Sequence, residues 1–146
     1  MPEYPERLQT LLAVFAGVTD THERTQLLID FARKFKDVPP EVATRPFGPD
    51  HLVKFCESEA YAWAVPNADG TLKLHFAVEN PSGVSAKALA AILDKALSGL
   101  PPADIATVDP EIVERLFRQN ISMGKGMGLM SMVQAVQALA KAASNP

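Results

Sequence analysis

The sequence predicts an α+β fold, a small antiparallel β-sheet packed against several helices that lie mainly on one of its faces. Three observations carry that prediction. Apolar residues recur at helical spacing near both ends of the chain and again over residues 85–98. Two stretches of period-two alternation, 60–65 and 71–78, sit side by side in mid-chain. Between them lies Pro66-Asn67-Ala68-Asp69-Gly70, a turn that folds consecutive strands back antiparallel.

Composition sets the outer bounds. A chain of 146 residues has the size of one domain, so residues 1–146 are expected to form a single unit. Its 47% hydrophobic and 21% charged residues are enough to build a core. The formal net charge of −3, with both signs mixed along the chain, lacks the basic face that nucleic-acid binding requires. No apolar run approaches the roughly 20 residues that span a bilayer, so no membrane partner is expected. The opening Met1-Pro2-Glu3-Tyr4-Pro5-Glu6 is acidic and does not read as a secretory leader. A single cysteine makes neither an internal disulfide nor a dithiol cycle, and it suits a reducing, cytoplasmic setting.

In chain order, Leu8, Leu11, Leu12 and Phe15 form the stripe of a first helix that Gly17 ends. Asp20 with Glu23 reads as a capping box opening a second helix near Thr21. Leu27, Leu28, Phe31 and Phe35 would be its buried face, with Arg24, Arg33, Lys34 and Lys36 toward water and Pro39-Pro40 as its stop. The two helices are expected to form a hairpin. Residues 37–52 are irregular, a length of loop that is often functional.

In the first strand Tyr61, Trp63 and Val65 alternate with alanines. In the second, Leu72, Leu74, Phe76 and Val78 face one side, and Thr71, Lys73 and His75 the other. Ser85 is expected to cap a helix to about Ser98, closed by Gly99. Pro101-Pro102 opens a brief helical turn. Asp109-Pro110 reads as an N-cap and first helical residue, with Ile112, Val113, Leu116 and Phe117 as the apolar side. Residues 122–128 read as a loop. A last helix to about Ala143 carries the stripe Leu129, Met132, Val133, Val136, Leu139, Ala140 and Ala143.

Few residues suggest chemistry. Cys56 sits between the irregular segment and the first strand, and is either a reactive thiol or a small buried apolar side chain. Anions such as Glu57 and Glu59 raise a neighbouring thiol's pKa unless they point away. Gly124, Gly126 and Gly128 around Lys125 suit either an anion-binding nest or plain turn chemistry, and no phosphate-loop pattern is met. Met123, Met127, Met130 and Met132 suit partner docking or core packing. His22, His51 and His75 are scattered without zinc-ligand spacing, and a His51–Cys56 pairing is weakly indicated. Asp94 and Glu114 read as solvated. No Gly-x-Ser-x-Gly elbow is present.

The order of these features resembles the SufE family, the sulfur acceptors that partner cysteine desulfurases in iron–sulfur cluster assembly. The match runs from the helical pair and proline-rich loop to Phe55-Cys56-Glu57-Ser58, similar to the family's Gly-Cys-Gln-Ser, with Tyr61 following. It continues through Asp69-Gly70, the helix of residues 86–97 and Leu100-Pro101-Pro102-Ala103-Asp104-Ile105. It ends with residues 121–133, similar to Leu-Ser/Thr-Pro-Ser-Arg-x-x-Gly-Leu-x-x-Met-Val/Ile. Phe55, Glu57 and Lys125 stand where the family has glycine, glutamine and arginine, and Glu79-Asn80-Pro81 replaces a more acidic segment, which marks a divergent member.

The resemblance implies a SufE/IscU-like fold, with a third strand drawn from residues 50–58. It implies that Cys56 accepts persulfide sulfur from a pyridoxal-phosphate-dependent, SufS-like cysteine desulfurase, stimulating it, and passes the sulfur to a SufB-like iron–sulfur scaffold. Lys125, Glu57 and Ser58 would surround the thiolate, and Phe55, Met123 and Met127 would meet the partner. The carrier would need no cofactor or metal of its own and would turn over only with its partner. Its thiol would rest sheltered, and residues 37–57 would swing out for delivery. Two other readings stand beside it: a non-catalytic module that regulates a desulfurase, with Cys56 structural, and a thiol peroxidase whose Cys56 forms a sulfenic acid.

Overall fold

The first helix, α1 (Glu6–Ala16), follows Pro5, whose carbonyl accepts the Gln9 N–H, and buries Leu8, Leu12 and Phe15. A computed structural model describes residues 4–54, 59–80 and 83–144. Helix α2 (Thr21–Arg33) opens as the capping pattern predicts, with the Asp20 carboxylate accepting the Glu23 N–H at 2.9 Å. It ends well before Pro39-Pro40. The Lys34 and Phe35 N–H groups bond three residues back, and Val38 N–H then donates to Phe76 O at 2.9 Å, drawing the chain onto a sheet edge. Helices α1 and α2, expected as a hairpin, touch through the stacked Phe15 and Phe31 rings and through Arg24 on Phe15. Both also pack on a shared neighbour, α3 (Val84–Leu97).

Strands β1 (Ala60–Pro66) and β2 (Leu72–Val78) pair antiparallel, with Ala60 opposite Val78, Ala62 opposite Phe76 and Trp63 opposite His75. Asp69 and Gly70, at φ +87°, make the turn, and the Asp69 carboxylate accepts from the Thr71 N–H. Period-two geometry sends the strand residues to two different environments. Ala60, Ala62 and Ala64 join Leu72, Leu74, Phe76 and Val78 in the main core. There α3 packs beneath β2, and α6 (Met123–Ser144) beneath β1. Small alanines on β1 let α6 approach closely. On the opposite face Tyr61, Trp63 and Ala77 form a second cluster with Val38, Val42, Ala43 and Phe47.

The sheet edges are closed by single contacts. Leu72 bonds to Leu100 and Gly99, and Leu52 bridges Tyr61. Among the described residues, 50–54 add that one bridge to β1 rather than the third strand the resemblance implies. Helix α3 begins at Val84 with Gly83 at the cap, so Ser85 lies inside the first turn instead of capping it. Gly99, at φ +89°, closes the helix as expected. Asp94 is not simply solvated, because it takes Lys73 Nζ and the Ser98 hydroxyl.

Helix α4 (Pro102–Ile105) is the expected brief turn. Helix α5 (Ile112–Phe117) starts later than Asp109-Pro110 suggested, because Asp109 accepts the Glu111 N–H in a local turn as well as the Tyr4 hydroxyl. Burial and that carboxylate push the Tyr4 phenol up to about 12. Helix α6 starts earlier than expected, and the glycines at 124–128 lie within it. Ser122 caps it, accepting the Lys125 N–H on its hydroxyl and the Gly126 N–H on its carbonyl. Leu129, Met132, Val133, Val136 and Ala140 are buried, Leu139 is half-buried, and Ala143, expected on the stripe, is exposed.

The largest departure from expectation is Arg24, which faces inward and is 2% exposed. Its guanidinium donates to Phe15 O, to Val18 O at 2.9 Å and to Leu116 O at 2.7 Å, and lies over the Phe15 ring. The acceptors are carbonyls at and beyond the C-terminal ends of α1 and α5, where partial negative charge collects; Phe15 O also accepts the Val18 N–H. We expect Arg24→Met to lower the urea unfolding free energy by about 3 kcal/mol or more, the scale of losing one member of a buried charge-assisted set. A loss under about 1 kcal/mol would show that water serves those carbonyls equally well.

Candidate functional site

The candidate site lies where the chain turns into β1. Phe55, Cys56, Glu57 and Ser58 fall outside the described residues, so the site is built from the residues on either side. On one side Val53 is buried, and its N–H donates to Ala60 O at 2.8 Å. On the other, Glu59 adopts φ 47°, a left-handed conformation that costs a non-glycine residue about 1–2 kcal/mol. The Glu59 carbonyl accepts the Glu79 N–H at 3.1 Å, extending the β1–β2 pairing by one bond. Both ends of the segment carrying Cys56 are therefore anchored to the same end of the hairpin.

A clasp that the sequence did not suggest holds that end. Arg45 donates a two-pronged pair of bonds to Asp37, at 2.7 and 2.9 Å, and a third from Nε to Glu79 at 2.8 Å. The guanidinium holds the Asp37 carboxyl below the usual carboxylate range, and the two carboxylates push Arg45 itself upward. Arg45 also lies over the Phe47 ring, 4.9 Å from its centroid. Phe47 in turn packs on Tyr61 and Trp63, at 5.0 and 5.1 Å between centroids. Burial, followed by Glu59 and Glu79, raises the Tyr61 phenol. Residues 37–47 thus form a cover over the aromatic face of the hairpin, clasped beside the segment that carries Cys56.

The remaining predicted site residues lie elsewhere. Lys125 is exposed in the first turn of α6, and its described contacts run to Ser122. The α6 N-terminus is held near α2 through Asn120, whose amide donates to Thr21 O and Thr25 Oγ1. No described contact joins Lys125 to Lys54 or Glu59. Because the glycines lie within α6 and Ser122 takes the Lys125 and Gly126 N–H groups, the expected glycine loop is replaced by helix. Met127 and Met130 are exposed and Met132 is buried, which divides the methionine cluster between surface and core. Met123 opens the helix, and its side chain lies outside what is described. His51 stacks on Trp63, and its Nδ1 sits 3.0 Å from Ala62 O, so that nitrogen carries the proton in this contact. Burial, then Lys73, lowers the His75 pKa. Among the described residues no group of three or more His, Cys, Asp or Glu gathers to hold a metal. Nor is any described helix long and apolar enough to cross a membrane.

Comparison with known proteins adds a family. The family model described as "SufE: Fe-S metabolism associated domain" matches residues 9–140. The chain is 26% identical over 136 residues to "SufE-like protein 1, chloroplastic/mitochondrial" of Arabidopsis thaliana, a match covering 92% of this chain and 35% of that protein. It therefore spans about a third of that relative's length. Its fold is similar to the solution structure of a hypothetical protein from Thermus thermophilus, with a TM-score of 0.76 and 23% identity, covering 99% of this chain and 100% of that one.

The clasp has a pH signature. A depressed Asp37 pKa contributes stability above the unfolded value of about 3.9 and loses it as pH falls through the lower folded value. Both partners are about half exposed, so the contribution is at most about 1 kcal/mol. Trp63, the sole tryptophan, reports on the cover through Phe47. Its fluorescence is expected to change below about pH 4 in the wild type and to show the acid-type signal already at neutral pH in Arg45→Ala. Identical wild-type and variant profiles would mean that packing alone holds the cover.

Proposed function

Since the chain belongs to the SufE family of Fe–S metabolism associated domains, we propose that it is a sulfur carrier acting through Cys56. The single observation supporting this most is that the family match spans residues 9–140 and so includes the sole cysteine and both anchored arms beside it. In this reading a pyridoxal-phosphate-dependent cysteine desulfurase holds sulfur as a persulfide. The Cys56 thiolate attacks the outer sulfur, a new S–S bond forms, the old one breaks, and the desulfurase thiolate leaves. The exchange is redox-neutral and needs no cofactor on the carrier, because the pyridoxal chemistry belongs to the partner. Clearing the persulfide regenerates the desulfurase thiol, which accounts for stimulation. An acceptor thiol on an iron–sulfur scaffold then takes the sulfur by the same displacement.

The surroundings suit a carrier whose thiol is presented on demand. The cover over residues 61 and 63 is fastened by surface ion pairs, a small apolar cluster of Val38, Val42, Ala43 and Phe47 and one backbone bond from Val38, while the hairpin beneath is fixed by the larger main core. Opening the cover therefore leaves the fold intact. Within this reading Glu57, Ser58 and Lys125 tune the thiolate, and Phe55, Met123 and the exposed Met127 meet the partner.

Incubation with free cysteine and the desulfurase of the same organism is expected to add one sulfur atom to the intact mass. The gain disappears in Cys56→Ser and is reversed by a reductant. No gain, with desulfurase stimulation retained in Cys56→Ser, would replace the carrier with a docking module. Turnover of peroxide through a Cys56 sulfenic acid would replace it with a peroxidase. Lys125→Ala is expected to raise the pH midpoint of Cys56 alkylation, and an unchanged midpoint removes Lys125 from the thiolate's surroundings.

A further inference from the structure

A second site lies away from residues 37–60, in a cleft of about 470 Å³ between the end of α1, the start of α2 and the end of α5. Three arginines line it: Arg24, Arg115 and Arg118. Glu114 is the one carboxylate among the lining residues, so three positive charges against one negative leave a surplus of two. Thr19, Thr21 and Asn120 add polar groups. None of Glu114, Arg115 and Arg118 is in an ion pair among the described residues.

The cleft is built so that this surplus persists. Arg24 is buried and spends its donors on backbone carbonyls, so its charge reaches the cleft without being cancelled by a carboxylate. Arg118 sits close enough to Arg24 that their like charges disfavour each other. It also holds φ 48°, an unusual backbone for a side chain of its size, at the point where α5 gives way to the turn Arg118–Asn120. Asn120, anchored to Thr21 and Thr25, keeps that turn against α2. Two exposed guanidinium forks on a rigid wall, above a buried cation, recognise an oxyanion, and two surplus positive charges match a dianion better than a monoanion.

We propose that this cleft binds a phosphate group, held by Arg115 and Arg118 with Thr19 and Thr21 as hydroxyl donors and Arg24 as a fixed background charge. The proposal is independent of sulfur carriage. Two sources present the same chemistry: free phosphate, and a phosphate monoester of a small molecule.

The test is an amide and arginine side-chain NMR titration of the full chain with inorganic phosphate, and separately with phenyl phosphate, against acetate and chloride at matched ionic strength. Saturable shifts confined to Arg115, Arg118 and Thr21, with half-saturation at about 1 mM or tighter, are expected for phosphate and not for acetate or chloride. Tighter binding of phenyl phosphate assigns the site to monoesters, and equal binding to free phosphate. Arg118→Gly removes the guanidinium while relieving the positive φ, so it should fold at least as stably as wild type and lose at least about tenfold in affinity. Arg115→Gln should lose a similar factor. Shifts that never saturate, that appear equally with acetate, or that survive both substitutions would overturn the site.

Discussion

Burying one guanidinium among helix-end carbonyls is the constraint on which the helical layer depends. Among the described residues Arg24 is in no ion pair. Its charge is met by carbonyl oxygens at and beyond the C-terminal ends of α1 and α5, of which Phe15 O also accepts the Val18 N–H. Neither side of the exchange is stable alone, because a buried charge and a buried orphan carbonyl each cost free energy. The arrangement therefore fixes where α1 ends, how α2 begins and where α5 stops. The stacked Phe15 and Phe31 rings close the same region with apolar contact. Helix α3, buried along most of its length, then serves as the common surface for α1, α2 and β2.

The two-stranded hairpin divides labour between its faces. Its alanine and leucine face belongs to the main core and holds the strands in register. Its aromatic face is covered by residues without regular structure. Two strands alone bury too little to be stable, so β1 and β2 depend on α3 and α6 below and on a few edge bonds to residues 38, 53, 99 and 100. The covering side is held by a smaller set of contacts: partly exposed ion pairs, the stacking of Phe47, Trp63 and His51, and the packing of Val38, Val42 and Ala43. This division lets the covering side move while the strand register does not.

The basic cleft and the Cys56 segment draw on different parts of the molecule. The cleft is assembled from helix ends and owes its charge to Arg24, a residue whose first task is structural. The residues flanking the Cys56 segment bond to one end of the hairpin, the end that the Arg45 clasp joins at Glu79. Arg24 and Arg45 illustrate two uses of one side chain: a buried guanidinium that completes backbone bonding, and a surface guanidinium that joins two carboxylates far apart in sequence.

Local signals determined much of this chain. Helical stripes at Leu8–Phe15 and Ile112–Phe117, the Asp20–Glu23 cap, the Asp69-Gly70 turn and the alternation through Tyr61 and Trp63 each rest on interactions within a few residues, so the residues alone disclose them. The lone Cys56, four residues ahead of the first strand in sequence, was visible for the same reason, as was the order of features that marks the family. Only the tertiary structure decided that Arg24 points inward, because its acceptors are backbone oxygens near residues 15, 18 and 116 that no side-chain pattern announces. It alone decided that Asp37, Arg45 and Glu79 meet, since 34 residues separate Arg45 from Glu79. It also set α6 to begin at Met123, where Ser122 caps a turn whose glycines read as loop. Short-range bonding is written in neighbouring residues, whereas a buried charge and a long-range clasp take their partners from wherever the fold brings the chain together.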